Sequence, residues 1–114
     1  MKISFGSIGQ QAATFAAAET AAAGQVCRIS ASGTVDVCAA GDSFCGVIDH
    51  IRDGAANVLI GGYAELPYTG ASAPALGWTK LAADGTGGVK AAETGREHLI
   101  VTVDADAKTV GLFL

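Results

Sequence analysis

His98-Leu99-Ile100-Val101-Thr102-Val103, then Asp104-Ala105-Asp106-Ala107, then Thr109 to Leu114: this stretch reads as two strands around a polar turn. β-Branched and long apolar residues fill both runs, and turn formers separate them, which is the pattern of an antiparallel hairpin. The same grammar extends upstream. Gln25 to Ser30 and Thr34 to Cys38 alternate in polarity around Ala31-Ser32-Gly33. Gly41-Asp42 breaks the chain, and Phe44 to Ile51 and Asn57 to Ile60 flank the strong turn dipeptide Asp53-Gly54. Gly61-Gly62 bends into a short strand, Tyr63 to Tyr68, and residues 69–76 form a loop. Trp78 to Ala82 and Val89 to Ala92 make a further hairpin around Asp84-Gly85. The fold expected is all-β: a small barrel or sandwich of about eight short antiparallel strands.

The stretch before Gly24 differs. Gln10 to Ala23 is rich in Ala, and Phe15 and Glu19 are its only large side chains besides two Gln. Ala favours helix, yet no stripe of large apolar residues recurs at helical spacing. Residues 1–23 are therefore expected to be an extended arm, mobile in the free protein, and 24–114 the β-domain. Removal of 1–16 should then leave the barrel folded.

The two halves echo each other at an offset near 53 residues, through Gly24 and Gly77, Gly33-Thr34 and Gly85-Thr86, and Asp53 and Asp106. A duplicated four-strand unit would produce this echo, and so would turn chemistry alone.

Composition narrows the function. The 114 residues suit one domain, and half of them are apolar, with 16 Gly and only 7 Lys plus Arg against 11 Asp plus Glu. The basic residues are scattered, so a nucleic-acid backbone meets no positive stripe. Apolar runs fall well short of the ~20 residues of a bilayer-crossing helix. Met1 to Gly6 holds one Lys and no continuous apolar run, so no signal peptide is expected and synthesis is expected in the cytoplasm. Neither nucleic acid nor membrane is an expected partner.

The chemistry-bearing motifs are incomplete. Cys27, Cys38 and Cys45 lack the short spacing of a zinc site, and the expected state is three reduced thiols packed in strands. Cys27 and Cys38 face each other if the Ser32-Gly33 turn has two residues, and point to opposite faces if the loop has three. Gly85-Thr86-Gly87-Gly88-Val89-Lys90 departs from a phosphate loop: Val89 separates the last Gly from Lys90, and Ala91 replaces the hydroxyl. Asp104-Ala105-Asp106 is followed by Lys108 where a calcium loop continues with oxygen ligands and Gly. No nucleophile elbow surrounds any Ser, so His50 and His98 read as sheet residues. Trp78, Tyr63 and Tyr68 suit a sugar- or base-stacking platform, or anchors in a core or interface. No catalytic residues, metal or cofactor are expected.

One resemblance joins these readings. The arm is followed by Ala23-Gly24-Gln25-Val26 and Ile29-Ser30-Ala31-Ser32-Gly33-Thr34-Val35. Then come Ala39-Ala40-Gly41-Asp42, Phe44-Cys45-Gly46-Val47-Ile48, and Val58-Leu59-Ile60 before Gly61. Leu76-Gly77-Trp78 and Asp84-Gly85 continue the pattern more loosely. This organisation resembles the small all-β bacteriophage capsid decoration (cement) proteins. The resemblance implies a structural virion protein, not an enzyme, that binds the major capsid protein on the outer surface of the shell and stabilises it. It also implies a homotrimer. Phe5, Ile8 and Phe15 are the expected capsid-binding anchors, and Tyr63, Leu66, Tyr68 and Trp78 the expected inter-subunit residues. Another virion component, such as a head-fibre or tail part, and a small carbohydrate-binding module are the alternatives.

Overall fold

A computed structural model describes residues 10–70 and 72–114. Every regular element among them is a strand, so the all-β expectation holds, but the strands number ten rather than about eight. They are β1 (Gln11–Ala17), β2 (Val26–Ala31), β3 (Thr34–Val37), β4 (Gly46–Arg52), β5 (Ala55–Gly61), β6 (Tyr63–Pro67), β7 (Gly77–Ala83), β8 (Val89–Ala91), β9 (Arg96–Asp104) and β10 (Thr109–Phe113). The first five form a closed barrel in the order β1-β3-β2-β4-β5, and the last five a second sheet in the order β6-β10-β9-β7-β8.

The first correction concerns the arm. Residues 11–17 are a barrel strand, antiparallel to β5 from Gln11↔Gly61 to Ala16↔Ala55 and parallel to β3 at Ala16↔Thr34 and Ala17↔Val35. Ala13, Phe15 and Ala17 are the less exposed side chains of β1, at the two-residue period of a strand. Beyond the strand, Ala18 N–H donates to the Val35 carbonyl at 3.0 Å, and the Thr20 hydroxyl donates to the Asp36 carboxylate at 2.7 Å. The domain therefore begins no later than Gln11, and the segment up to Ala23 belongs to it.

The second correction concerns the repeat, whose unit is five strands rather than four. Written from β1, the barrel runs β1-β5-β4-β2-β3, and from β6 the second sheet runs β6-β10-β9-β7-β8, the same order with every strand advanced by five places. The β9–β10 pair Val103↔Val110 lies 53 residues beyond the β4–β5 pair His50↔Asn57. Both hairpins carry an irregularity close by, which leaves Asp49 unpaired in β4 and Val101 in β9. The parallel β1–β3 pairing that closes the barrel has as its counterpart beside the second sheet the isolated parallel bridge Tyr68↔Val89.

Two cores follow from this arrangement. Cys27, Val35, Ile48, Ala56 and Val58 fill the barrel, with Phe15 and Ile51 packed against them. The larger core joins Leu66, Tyr68, Leu81, Ile100 and Leu112 of the second half to Val26 and Phe44 of the first. Neighbours along the strands serve opposite cores. Val26 faces the shared core and Cys27 the barrel; Val47 and Ile48, and Leu59 and Val58, divide in the same way. Strands buried on both faces carry continuous apolar residues in place of simple alternation.

Backbone bonds stitch the halves together. Val26 N–H reaches the Gly87 carbonyl at 3.1 Å, and Ala83 N–H the Asp42 carbonyl at 2.8 Å. The Gly-rich loop is accordingly a docking turn. Asp84 accepts bonds from Thr86 N–H at 2.7 Å, the Thr86 hydroxyl at 2.8 Å and Gly88 N–H at 3.1 Å, and a side chain at Gly88 would run into the Pro67 carbonyl.

Candidate functional site

Strand parity decides which apolar residues reach the surface. In β7, Leu81 points inward and is fully buried, so Trp78 and Lys80 point outward. Trp78 is 69% exposed, and Leu76, just before the strand, is 66% exposed. Register carries the Trp78 level across the sheet: Trp78 pairs with Leu99, Leu99 with Phe113 and Phe113 with Tyr63. These four residues make a transverse apolar row on the outer face. The Tyr63 and Phe113 rings meet edge to face at 5.8 Å, and the Tyr63 hydroxyl lies 3.3 Å from the Thr102 hydroxyl. Lys80 pairs with Glu97 on the next level, so charged side chains border the row. A shallow groove of about 180 Å³ runs between Trp78, Leu99, Phe113 and Leu114, rimmed by Arg96 and Glu97.

The expected interface residues separate on this geometry. Trp78 is on the surface, and Tyr63 is half-buried at the other end of the row. Leu66 and Tyr68 are core residues, 2% and 5% exposed, because they share the inward parity of Ala64 in β6 and its extension. Neither is available to a neighbouring subunit, which corrects their assignment. Phe15 is packed against the barrel core and is no longer a free anchor. Phe5 and Ile8 lie outside the described residues.

The histidines remain apart, His50 in β4 and His98 in β9. Asp49, the unpaired residue of β4, accepts from Nδ1 of the adjacent His50 at 3.1 Å and from Asn57 Nδ2 at 3.4 Å, and these bonds hold its carboxyl below the usual range. His98 is buried, 3% exposed, stacked on Phe44 with ring centres 4.8 Å apart. Its Nδ1 lies 3.3 Å from the Phe113 carbonyl, while Nε2 has no hydrogen-bond partner among the described residues. Burial lowers the affinity of this imidazole for a proton; the Phe113 carbonyl opposes that shift, and Arg96 adds to it. No cluster of three or more metal-ligating side chains occurs among the described residues.

The cysteines form a pair that sequence reasoning did not single out. The β2–β3 turn has the two residues Ser32 and Gly33, which alone would set Cys27 opposite Cys38. A bulge between Ile29 and Ala31 shifts the register, and Cys27 instead pairs with Val37. On the β4 side of β2, Cys27 meets Cys45, with Sγ atoms 3.9 Å apart, and Cys45 N–H donates to the Cys27 carbonyl at 2.8 Å. Cys27 is fully buried and Cys45 half-buried. The hydrogen bond from Cys27 lowers the Cys45 thiol to about 7 against the opposing effect of burial, and the same bond, with burial, pushes Cys27 up. Burial, with Asp42 adding to it, pushes Cys38 up to about 11. The sequence signal was present in the strand assignments to either side of Gly41-Asp42, but the pairing depends on β2 lying beside β4, with Cys27 opposite Gly46.

No protein-family model matches the chain, and no curated protein matches it.

Proposed function

We propose that this protein is a structural virion component, a decoration protein that binds the outer surface of a phage capsid and stabilises the shell. The observation that carries the proposal is the outward Trp78, with Leu76 beside it, on the second sheet. A large aromatic left in water on a strand is characteristic of an anchor for another surface, since contiguous exposed apolar area marks interaction sites and Trp is enriched among binding hot spots. The sequence organisation described above supports the capsid as the partner. In this reading the working unit is a homotrimer at threefold positions of the lattice, with Trp78 at the contact between copies. Several weak contacts then act together through effective concentration.

Reconstruction of particles mixed with the purified protein tests the proposal. Density for the two-sheet domain at threefold positions, with β7 against a neighbouring copy, is the expected result. Particles that take up no protein would refute the decoration role, and isolated monomers on the shell would refute the trimer alone.

The polar border of Trp78 favours a second reading, a carbohydrate-binding module. An exposed indole flanked by Lys80, Arg96 and Glu97 can stack on a sugar ring and bond its hydroxyls. Glycan-array binding that is lost in Trp78→Ala, without capsid uptake, would select this alternative.

A further inference from the structure

We propose that Cys27 and Cys45 are a redox-active dithiol, which a low-molecular-weight disulfide converts to an intramolecular bridge clamping β2 to the chain entering β4. The argument begins with backbone proximity. Cys27 pairs with Gly46, and Cys45 immediately precedes that residue and bonds to the Cys27 carbonyl at 2.8 Å. The two Sγ atoms are already 3.9 Å apart. A bridge needs about 2.05 Å, and the remaining approach of about 2 Å is within reach of side-chain rotation, with the two strands left paired.

Their surroundings divide the work between them. Cys45 is half-buried and is the thiol with access to a reagent, whereas Cys27 is fully enclosed in the barrel. The lowered proton affinity of Cys45 makes it the attacking thiolate at neutral pH. Cys38 is buried in the other core, among residues such as Val26 and Phe44, and Val37 rather than Cys38 stands opposite Cys27.

The chemistry balances with a disulfide RSSR as oxidant. Cys45 sulfur attacks one sulfur of RSSR, the S–S bond breaks, and the first RS⁻ leaves and takes up the proton that Cys45 lost. Cys27 sulfur then attacks Cys45 Sγ, the mixed disulfide breaks, and the second RS⁻ leaves with the Cys27 proton. The protein loses two hydrogens and two electrons, and RSSR becomes two RSH.

The experiment treats the reduced, folded protein with glutathione disulfide, alkylates the remaining thiols in denaturant, and maps the digest by mass spectrometry without reduction. The expected product links Cys27 to Cys45 and leaves Cys38 alkylated. Cys27→Ser, which lacks the resolving thiol, is expected to accumulate a stable glutathione adduct on Cys45, and Cys45→Ser to form neither adduct nor bridge over the same time. A bridge that includes Cys38, a persistent Cys45 adduct in the unaltered protein, or three alkylated cysteines would each overturn the assignment. The mapping of the unaltered chain decides the question even if a variant fails to fold.

Discussion

Trp78 stands directly opposite Leu99 in the β7–β9 ladder, on the face of the second sheet turned away from its core. The pair sits at the edge of the transverse row that ends at Tyr63. Its separation from the core gives the first prediction. Trp78→Ala is expected to change the unfolding free energy by no more than about 0.5 kcal/mol, because little of the indole is buried by the chain itself. The same substitution should weaken self-association or capsid uptake at least tenfold. Denaturant titration and a particle-binding assay on one preparation would check both halves of the statement.

Phe15 behaves in the opposite way. It packs against the barrel core from β1, the strand that closes the barrel between β3 and β5. Phe15→Ala is expected to destabilise the isolated domain by about 2–4 kcal/mol, somewhat below a fully buried site. Removal of residues 1–16 would delete most of β1 and expose the edges of β3 and β5, so loss of the cooperative melt is expected. A truncated chain that melts like the whole one would show that the barrel closes without β1.

Gly111 leaves room for the Tyr63 hydroxyl and the Thr102 hydroxyl, which both occupy the space a side chain would take. Gly111→Ala should displace the Tyr63 ring and cost about 1–3 kcal/mol as overpacking. The near-ultraviolet dichroism of the tyrosines should change, while the far-ultraviolet β signal stays. An unchanged melting temperature would contradict this packing.

The buried His98 imidazole makes stability depend on pH. Its proton affinity is lowered in the folded state, chiefly by burial. A group with a depressed folded value binds more protons when unfolded, so stability is retained above the unfolded value of about 6.5 and declines as pH falls toward the folded value. The slope from one such group is at most about 1.4 kcal/mol per pH unit. The carboxyls of Asp36 and Asp49 are held low by the Thr20 hydroxyl and by His50 respectively, so their contributions are lost only under more acid conditions, below the ordinary carboxylate range. Melting temperatures between pH 7 and 5 should therefore fall in the original protein and fall less in His98→Gln.

The sequence by itself determined the strand and turn grammar from Gly24 onward. Asp53-Gly54 is a tight turn because both residues take left-handed backbone, at φ 52° and 76°, in a two-residue hairpin connection. That preference is local, as is the β-branched alternation around it. The offset near 53 residues was also legible, because turn residues recur wherever the same hairpins recur.

Tertiary structure decided the rest. Alanine side chains are too small to mark which face of β1 is buried, so its place between β3 and β5, a pairing with chain distant in sequence, left no periodic signal. Tyr63, Leu66, Tyr68 and Trp78 look alike as a list of large apolar residues near one loop. Parity along the strands sends Leu66 and Tyr68 into the core and Trp78 into water, and parity depends on which face of the sheet meets the barrel. The Cys27–Cys45 contact rests on β2 lying beside β4 with Cys27 opposite Gly46, while one bulge in β2 exchanges Cys38 for Val37 across the hairpin. Local preferences specify the strands and their turns, whereas the inward face, the closing strand and the residues that meet depend on register between distant segments, which only the packed chain defines.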